Sequence, residues 1–167
     1  ELDRDGMIEL LLGWLDRYPI VSIEDPLAED DAAGFARFTR AVAGRVQVIG
    51  DDLLVTSAAR VAAAAAQGAC TAALIKPNQA GTVTETKDAL DAARRAGWAT
   101  NVSARSGETE AVSIAHLAVG WSAGQLKVGS FARSERMAKW NECLRIEAAL
   151  GAAARFAGQA ALALGAP

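Results

Sequence analysis

Charged and hydrogen-bonding residues gather in five places along this 167-residue sequence, each directly after a short apolar run. Glu24 and Asp25 close Ser22-Ile23-Glu24-Asp25-Pro26, and Asp51 and Asp52 lie in Gly50-Asp51-Asp52-Leu53. Carboxylates projecting from neighbouring strand ends can share a hard cation such as Mg²⁺, which takes oxygen ligands and relieves their mutual repulsion. The blander reading is that such acids cap the helices expected to begin near residues 32 and 56. Lys76 ends Leu74-Ile75-Lys76-Pro77, where proline biases it towards an extended backbone and stops the strand. An amine on such a rim binds phosphate or, held among other cations, removes a proton; taken singly it is a solvated lysine. Arg105 and Ser106, in Val102-Ser103-Ala104-Arg105-Ser106-Gly107-Glu108-Thr109, offer a planar fork of donors and a hydroxyl beside a glycine turn. That combination suits phosphate or carboxylate near a helix start. Lys127, in Gly124-Gln125-Leu126-Lys127-Val128-Gly129, adds a second amine, expected to face Lys76 across part of one mouth.

Positioning these groups falls to a βα rhythm that runs the length of the chain. The apolar runs place strands at Val21–Ile23, Val46–Ile49, Ala73–Ile75, Ala99–Ser103 and Gln125–Val128. Helical patterns occupy residues 6–17, 32–43, 56–67, 82–96, 109–121 and 133–150, the last with Met137, Trp140 and Leu144 on one apolar face. Every charged cluster therefore follows the C-terminal end of a strand. Successive intervals from Glu24 through Asp51, Lys76 and Arg105 to Lys127 are 27, 25, 29 and 22 residues, near the roughly 31 per unit of a ~250-residue barrel. In a barrel those ends converge on one mouth, where such enzymes hold their active sites. An open doubly wound sheet shows the same alternation, but no G-x-G-x-x-G follows a strand here.

Composition narrows the classes further. A hydrophobic share of 51% supplies a core for one domain, and a net charge of −3 gives no broad attraction to nucleic acid or anionic membrane. No run reaches the ~20 apolar residues of a membrane helix, and the start lacks the basic segment of a signal peptide, so a cytoplasmic location is the expectation. Cys70 and Cys143 lack metal-ligand spacing and are expected reduced and buried. His116, the sole histidine, falls mid-helix and is expected to be structural or superficial; the four tryptophans are expected to pack. Residues 1–150 are expected to form the barrel portion, and 151–167, rich in alanine and glycine, a loosely packed tail or weak helix.

Taken in order, Ser22 to Pro26, Gly50 to Leu53, Leu74 to Thr82, Arg105 to Glu110, Gly124 to Gly129 and Ala132-Arg133-Ser134-Glu135-Arg136 resemble the motif series of enolases. Leu144-Arg145-Ile146-Glu147 extends the match into the family's C-terminal helix. The resemblance implies an α/β fold, a partial TIM-type barrel of about five units, with Mg²⁺-dependent conversion of 2-phosphoglycerate to phosphoenolpyruvate. It implies Glu24 and Asp51 as Mg²⁺ ligands, Lys76 as general base, Arg105 and Ser106 on the substrate phosphate, and Lys127 on the carboxylate.

The sequence departs from the family pattern in two respects. Where the family reads Ser-His-Arg-Ser-Gly-Glu-Thr, this chain has Ala104, which can neither donate nor accept. That opens an alternative: a relative acting on another phospho- or phosphono-carboxylate, similar to the carboxyphosphonoenolpyruvate synthases. A non-catalytic enolase-like subunit is a third reading, disfavoured by the charges retained at one rim. The family's remaining metal aspartate, its acid glutamates and its lid loops precede the region present here. Five strands do not close an eight-stranded barrel, so an N-terminal half, in another chain or in a longer one, is expected as partner, within an oligomer.

Overall fold

The computed structural model describes residues 2–162, 164 and 165. Helices and strands alternate as α1 (Arg4–Arg17), β1 (Ser22–Glu24), α2 (Ala32–Val42), β2 (Gln47–Gly50), α3 (Ala58–Ala66), β3 (Ala72–Ile75), α4 (Pro77–Ala80), α5 (Val83–Arg95), β4 (Ala99–Ser103), α6 (Ser113–Gly120), β5 (Gly124–Lys127) and α7 (Ser134–Leu150). Two 3₁₀ turns, Gly151–Ala153 and Gly158–Ala161, follow. All strand pairings are parallel and sequential, β1-β2-β3-β4-β5, so the sheet is one wall of a TIM-type barrel with β1 and β5 as its edges among the described residues.

Side-chain alternation along these strands makes two faces from one sheet. Val48, Ala73, Ile75 and Val102 join the large core against the helices, with Phe35, Phe38, Val61 and Leu90 fully buried there. On the other face a small apolar cluster of Ile49, Ala72 and Leu74 packs with Ala99. Two residues on from Ile49 and Leu74 come Asp51 after β2 and Lys76 after β3, four on from Ala99 comes Ser103 on β4, and the β4–β5 register sets Ser103 opposite Lys127. The barrel interior is therefore apolar at mid-height and ionic at the C-terminal rim. Gln47 and Gln125 meet lower on the same face, Gln47 Nε2 donating to Gln125 Oε1 at 3.1 Å, which shows how strongly the sheet curls.

The helices begin where side chains can serve their free N–H groups. Asp31 caps α2 through the Gly34 N–H, Ser57 caps α3 and Thr82 caps α5. The strand-end acids do not cap these helices, so the blander alternative for them does not hold. Pro77 extends Lys76 as anticipated (φ −121°, ψ 102°) but also opens the short helix α4 as its first residue, an element the apolar periodicity does not reveal. The helix expected from residue 109 starts at Ser113, because Thr109 to Val112 run on in the loop after β4.

Other expectations need correction. Met137, Trp140 and Leu144 do not form the buried face of α7: Leu144 is 62% exposed, and the buried residues are Arg136 and Lys139. Trp98 and Trp121 pack on the core, but Trp14 is 40% exposed, and Trp140 stacks on Phe131 with ring centroids 4.9 Å apart. His116 lies on the surface with Nε2 2.9 Å from Glu142 Oε1. In the tail, the Ala161 carbonyl accepts from Gln125 Nε2 at 2.9 Å and the Gly165 N–H donates to the Gly44 carbonyl at 3.0 Å. Residues 1, 163, 166 and 167 of the two expected segments lie outside the described residues.

Both thiols are free, but only Cys70 is buried; Cys143 is half-buried. Burial, reinforced by the charge of Asp25, pushes the Cys70 thiol up to about 12, so its reactive thiolate is scarce at neutral pH. A thiol reagent at pH 8 should label Cys143 well before Cys70, as mass spectrometry of the intact protein would read. Equal labelling rates would contradict the packing around Cys70.

Candidate active site

The parallel register carries the ends of all five strands to one rim, and the predicted residues meet there as ion pairs. Lys76 Nζ is 2.5 Å from Asp51 Oδ2, with both side chains about nine-tenths buried. Lys127 Nζ lies 2.6 Å from each oxygen of Glu24, a pair that joins the two edge strands β1 and β5 across 103 residues of sequence. The amines are thus each matched to a carboxylate rather than set against one another, which differs from the expectation of two facing cations. Asp51, Lys76, Arg105, Ser106 and Lys127 line a single cavity of about 470 Å³, together with Asp52, Ser103, Ala104 and the segment Val128–Ser130 with Arg133 and Arg136. Glu24 reaches this cavity through Lys127 and is not among its lining residues.

Loops under local strain hold the acidic side. Asp25 has φ 43°, Val55 φ 44° and Thr56 φ 51°, left-handed values that cost such residues of order 1–3 kcal/mol each. Asp25, half-buried, accepts the N–H groups of Asp51 and Asp52, at 2.8 and 3.0 Å. Burial, with smaller contributions from the charges of Asp51 and Asp52, raises its carboxyl above the usual range against the pull of those two hydrogen bonds. The Thr56 hydroxyl accepts from the Lys76 N–H at 3.0 Å and donates to Gln79 Oε1 at 2.8 Å, tying the loop after β2 to the end of β3. Asp51 and Lys76 are therefore fixed at the backbone as well as through their side chains.

The cationic side is built differently. Among the described residues, the Arg105 guanidinium and the Ser106 hydroxyl make no intramolecular hydrogen bond, and the Arg105 backbone N–H donates to Glu108 Oε1 at 2.7 Å. Those side-chain donors are available to an anion, in the fork geometry that matches phosphate or carboxylate. Ala104 puts a methyl group beside them, its N–H donating to the Lys127 carbonyl at 2.9 Å.

The acidic side also suits a cation. Asp25, Asp51 and Asp52 each place a carboxylate oxygen within 4.8 Å of the others, and Asp51 Oδ1 is buried without a hydrogen-bond partner. A buried, unpartnered carboxylate oxygen is costly unless something positive meets it. The oxygen-only donor set fits Mg²⁺ by its chemistry. Glu24 falls outside this cluster, since both of its oxygens face Lys127.

Sequence reasoning overlooked Asp25 as the staple of the second strand end, Thr56 beneath Lys76, and Glu108, Arg136 and Lys139 behind the Arg105 loop. Asp25, paired with Glu24, Glu108, within the recognised Ser-Gly-Glu-Thr run, and Arg136, closing the Ala132-Arg133-Ser134-Glu135-Arg136 block, stood in motifs conspicuous enough to be found; Thr56 and Lys139 did not.

A curled, parallel βα sheet with acids and amines converging on its C-terminal rim defines part of a TIM-barrel domain with the makings of an anion and metal site. The family model for the enolase C-terminal TIM barrel domain matches residues 1–164, and the chain belongs to that family.

Proposed function

We propose that this domain supplies the proton-abstracting and anion-binding half of an enolase-type active site, which dehydrates 2-phosphoglycerate to phosphoenolpyruvate in the intact protein. The observation that supports it most is the gathering of Asp51, Lys76, Arg105, Ser106 and Lys127 around one cavity from four separate strand ends. Lys76, as general base, takes the proton from the carbon that bears the phosphate. The electrons of that C–H bond form the carbon–carbon double bond, and the neighbouring C–O bond breaks. The departing hydroxide needs a proton from an acid, for which the family's glutamates lie outside this sequence. Lys127 meets the carboxylate, where negative charge grows as the C–H bond breaks, and Arg105 with Ser106 holds the phosphate. Asp51 and Glu24 are the proposed Mg²⁺ ligands, and a bound Mg²⁺ would supply charge neutralisation at that carboxylate. Glu24 would have to turn from Lys127 to take that role. We further propose a cytoplasmic enzyme whose barrel is completed by strands beyond β1 and β5. Residues 151–167 would form a tail segment beyond the barrel portion.

Assaying the intact protein with Mg²⁺ and 2-phosphoglycerate for the ultraviolet absorbance of phosphoenolpyruvate tests this reading. No product from an assembled, Mg²⁺-binding protein would refute it. The methyl group of Ala104 on the cavity wall favours a second reading, in which a related phosphono-carboxylate is the substrate. Ala104→His separates the two. If ancestral chemistry has been weakened, restoring the imidazole should raise 2-phosphoglycerate turnover by about 10²-fold, the effect of one donor placed at developing charge. A repurposed site should instead lose its phosphonate activity without that gain.

A further inference from the structure

Helix α7 buries two cations three residues apart on one face, a place where an amphipathic helix ordinarily carries apolar side chains. Lys139 is fully buried. Its Nζ donates to the carbonyls of Thr109 and Glu135 at 2.7 and 2.9 Å and lies 3.2 Å from Glu108 Oε2. The other oxygen of Glu108 accepts the N–H of Arg105 at 2.7 Å and is 3.4 Å from Asn78 Nδ2. Three residues earlier, Arg136 donates from Nη1 to the Val128 carbonyl and from Nη2 to the Ser106 carbonyl, both at 2.9 Å. An ion pair followed by a hydrogen bond thus links α7 to the backbone of Arg105, and a direct hydrogen bond links it to that of Ser106.

Burying an ammonium costs several kcal/mol, and well-packed apolar residues of similar volume often serve stability equally well. What apolar residues cannot do is fix the direction of a loop's N–H and carbonyl groups. We infer that Lys139 and Glu108 are positioning residues that set the backbone at Arg105, so that its guanidinium stands at the cavity ready for an anion. This rests on the reading of the Arg105–Ser106 loop as the anion-binding element of the proposed site.

Binding of inorganic phosphate to the intact protein, followed by calorimetry alongside thermal unfolding, tests it in two backgrounds. Lys139→Met should weaken phosphate binding about tenfold in the unmodified protein but by less than about twofold once Arg105→Ala is present, the non-additivity of residues acting through one another. Glu108→Ala should reproduce the loss. Glu108→Gln, which keeps an acceptor for the Arg105 N–H but turns an NH2 towards the Lys139 ammonium, should lose part of the affinity, less than Glu108→Ala does. Should Lys139→Met not fold, the Glu108 pair is read in the same two backgrounds. Equal losses in both backgrounds, or none, would overturn the inference while leaving the anion site standing. If Arg105→Ala by itself leaves phosphate binding unchanged, the anion site itself is wrong.

Discussion

Replacing Lys76 by alanine is expected to lower turnover of 2-phosphoglycerate by about 10³–10⁴-fold, the upper part of the range for a lost general base. The expectation follows from position. Lys76 ends β3 on the inner face, its backbone is held by Thr56 and its amine is directed at the buried Asp51. Among the described residues no other amine stands in that place, since Lys127 ends the edge strand β5 and is paired with Glu24 of β1. The loss should fall on kcat, with KM changed little, because Arg105, Ser106 and Lys127 still meet the substrate. A second effect accompanies it. Without its partner, Asp51 becomes an uncompensated buried carboxylate, worth about 3–5 kcal/mol of stability in the absence of metal. Added Mg²⁺ should recover part of that loss through binding to the folded state. Less than a tenfold fall in kcat would remove Lys76 from the role of base.

Asp51→Asn carries the second large effect. The amide matches the carboxylate in shape but removes the charge that faces Lys76, and an amide is a poorer ligand for a hard cation. Mg²⁺ affinity measured by calorimetry should fall by at least about 100-fold, beyond what changes to supporting residues produce. Thermal unfolding without metal should also shift downward, because the ammonium of Lys76 then lacks its ionic partner. Unaltered Mg²⁺ affinity would show that the cation is held elsewhere and that the unpartnered Oδ1 has another explanation.

The order of elements was readable from sequence because its signals are local: short runs of three to five residues, helical spacing between them, and a charge after each run. Once the strands are parallel and sequential, the two-residue alternation alone sends Asp51, Lys76 and Lys127 to one rim. The resemblance implies Glu24 as a Mg²⁺ ligand; in the structure its carboxylate faces Lys127, and sequence position carries no rotamer. Asp25 looked like half of an acidic pair, whereas its left-handed backbone turns it into an acceptor for the next loop. The face of α7 was misread for a related reason. Periodicity sends lysine and arginine to solvent, and only the tertiary structure reveals carbonyls within reach of Arg136 and Lys139. Capping was missed because Asp31 and Ser57 sit inside loops whose lengths, not compositions, place them before a helix.

The most direct measurement is exchange of the proton on the phosphate-bearing carbon of 2-phosphoglycerate with deuterated solvent, followed by NMR in the presence of Mg²⁺ and the intact protein. The account predicts exchange with the unmodified protein and its near-complete loss in Lys76→Ala, whatever the fate of the later C–O cleavage. Exchange that persists in Lys76→Ala, or is absent from the unmodified protein while the substrate is bound, would contradict it.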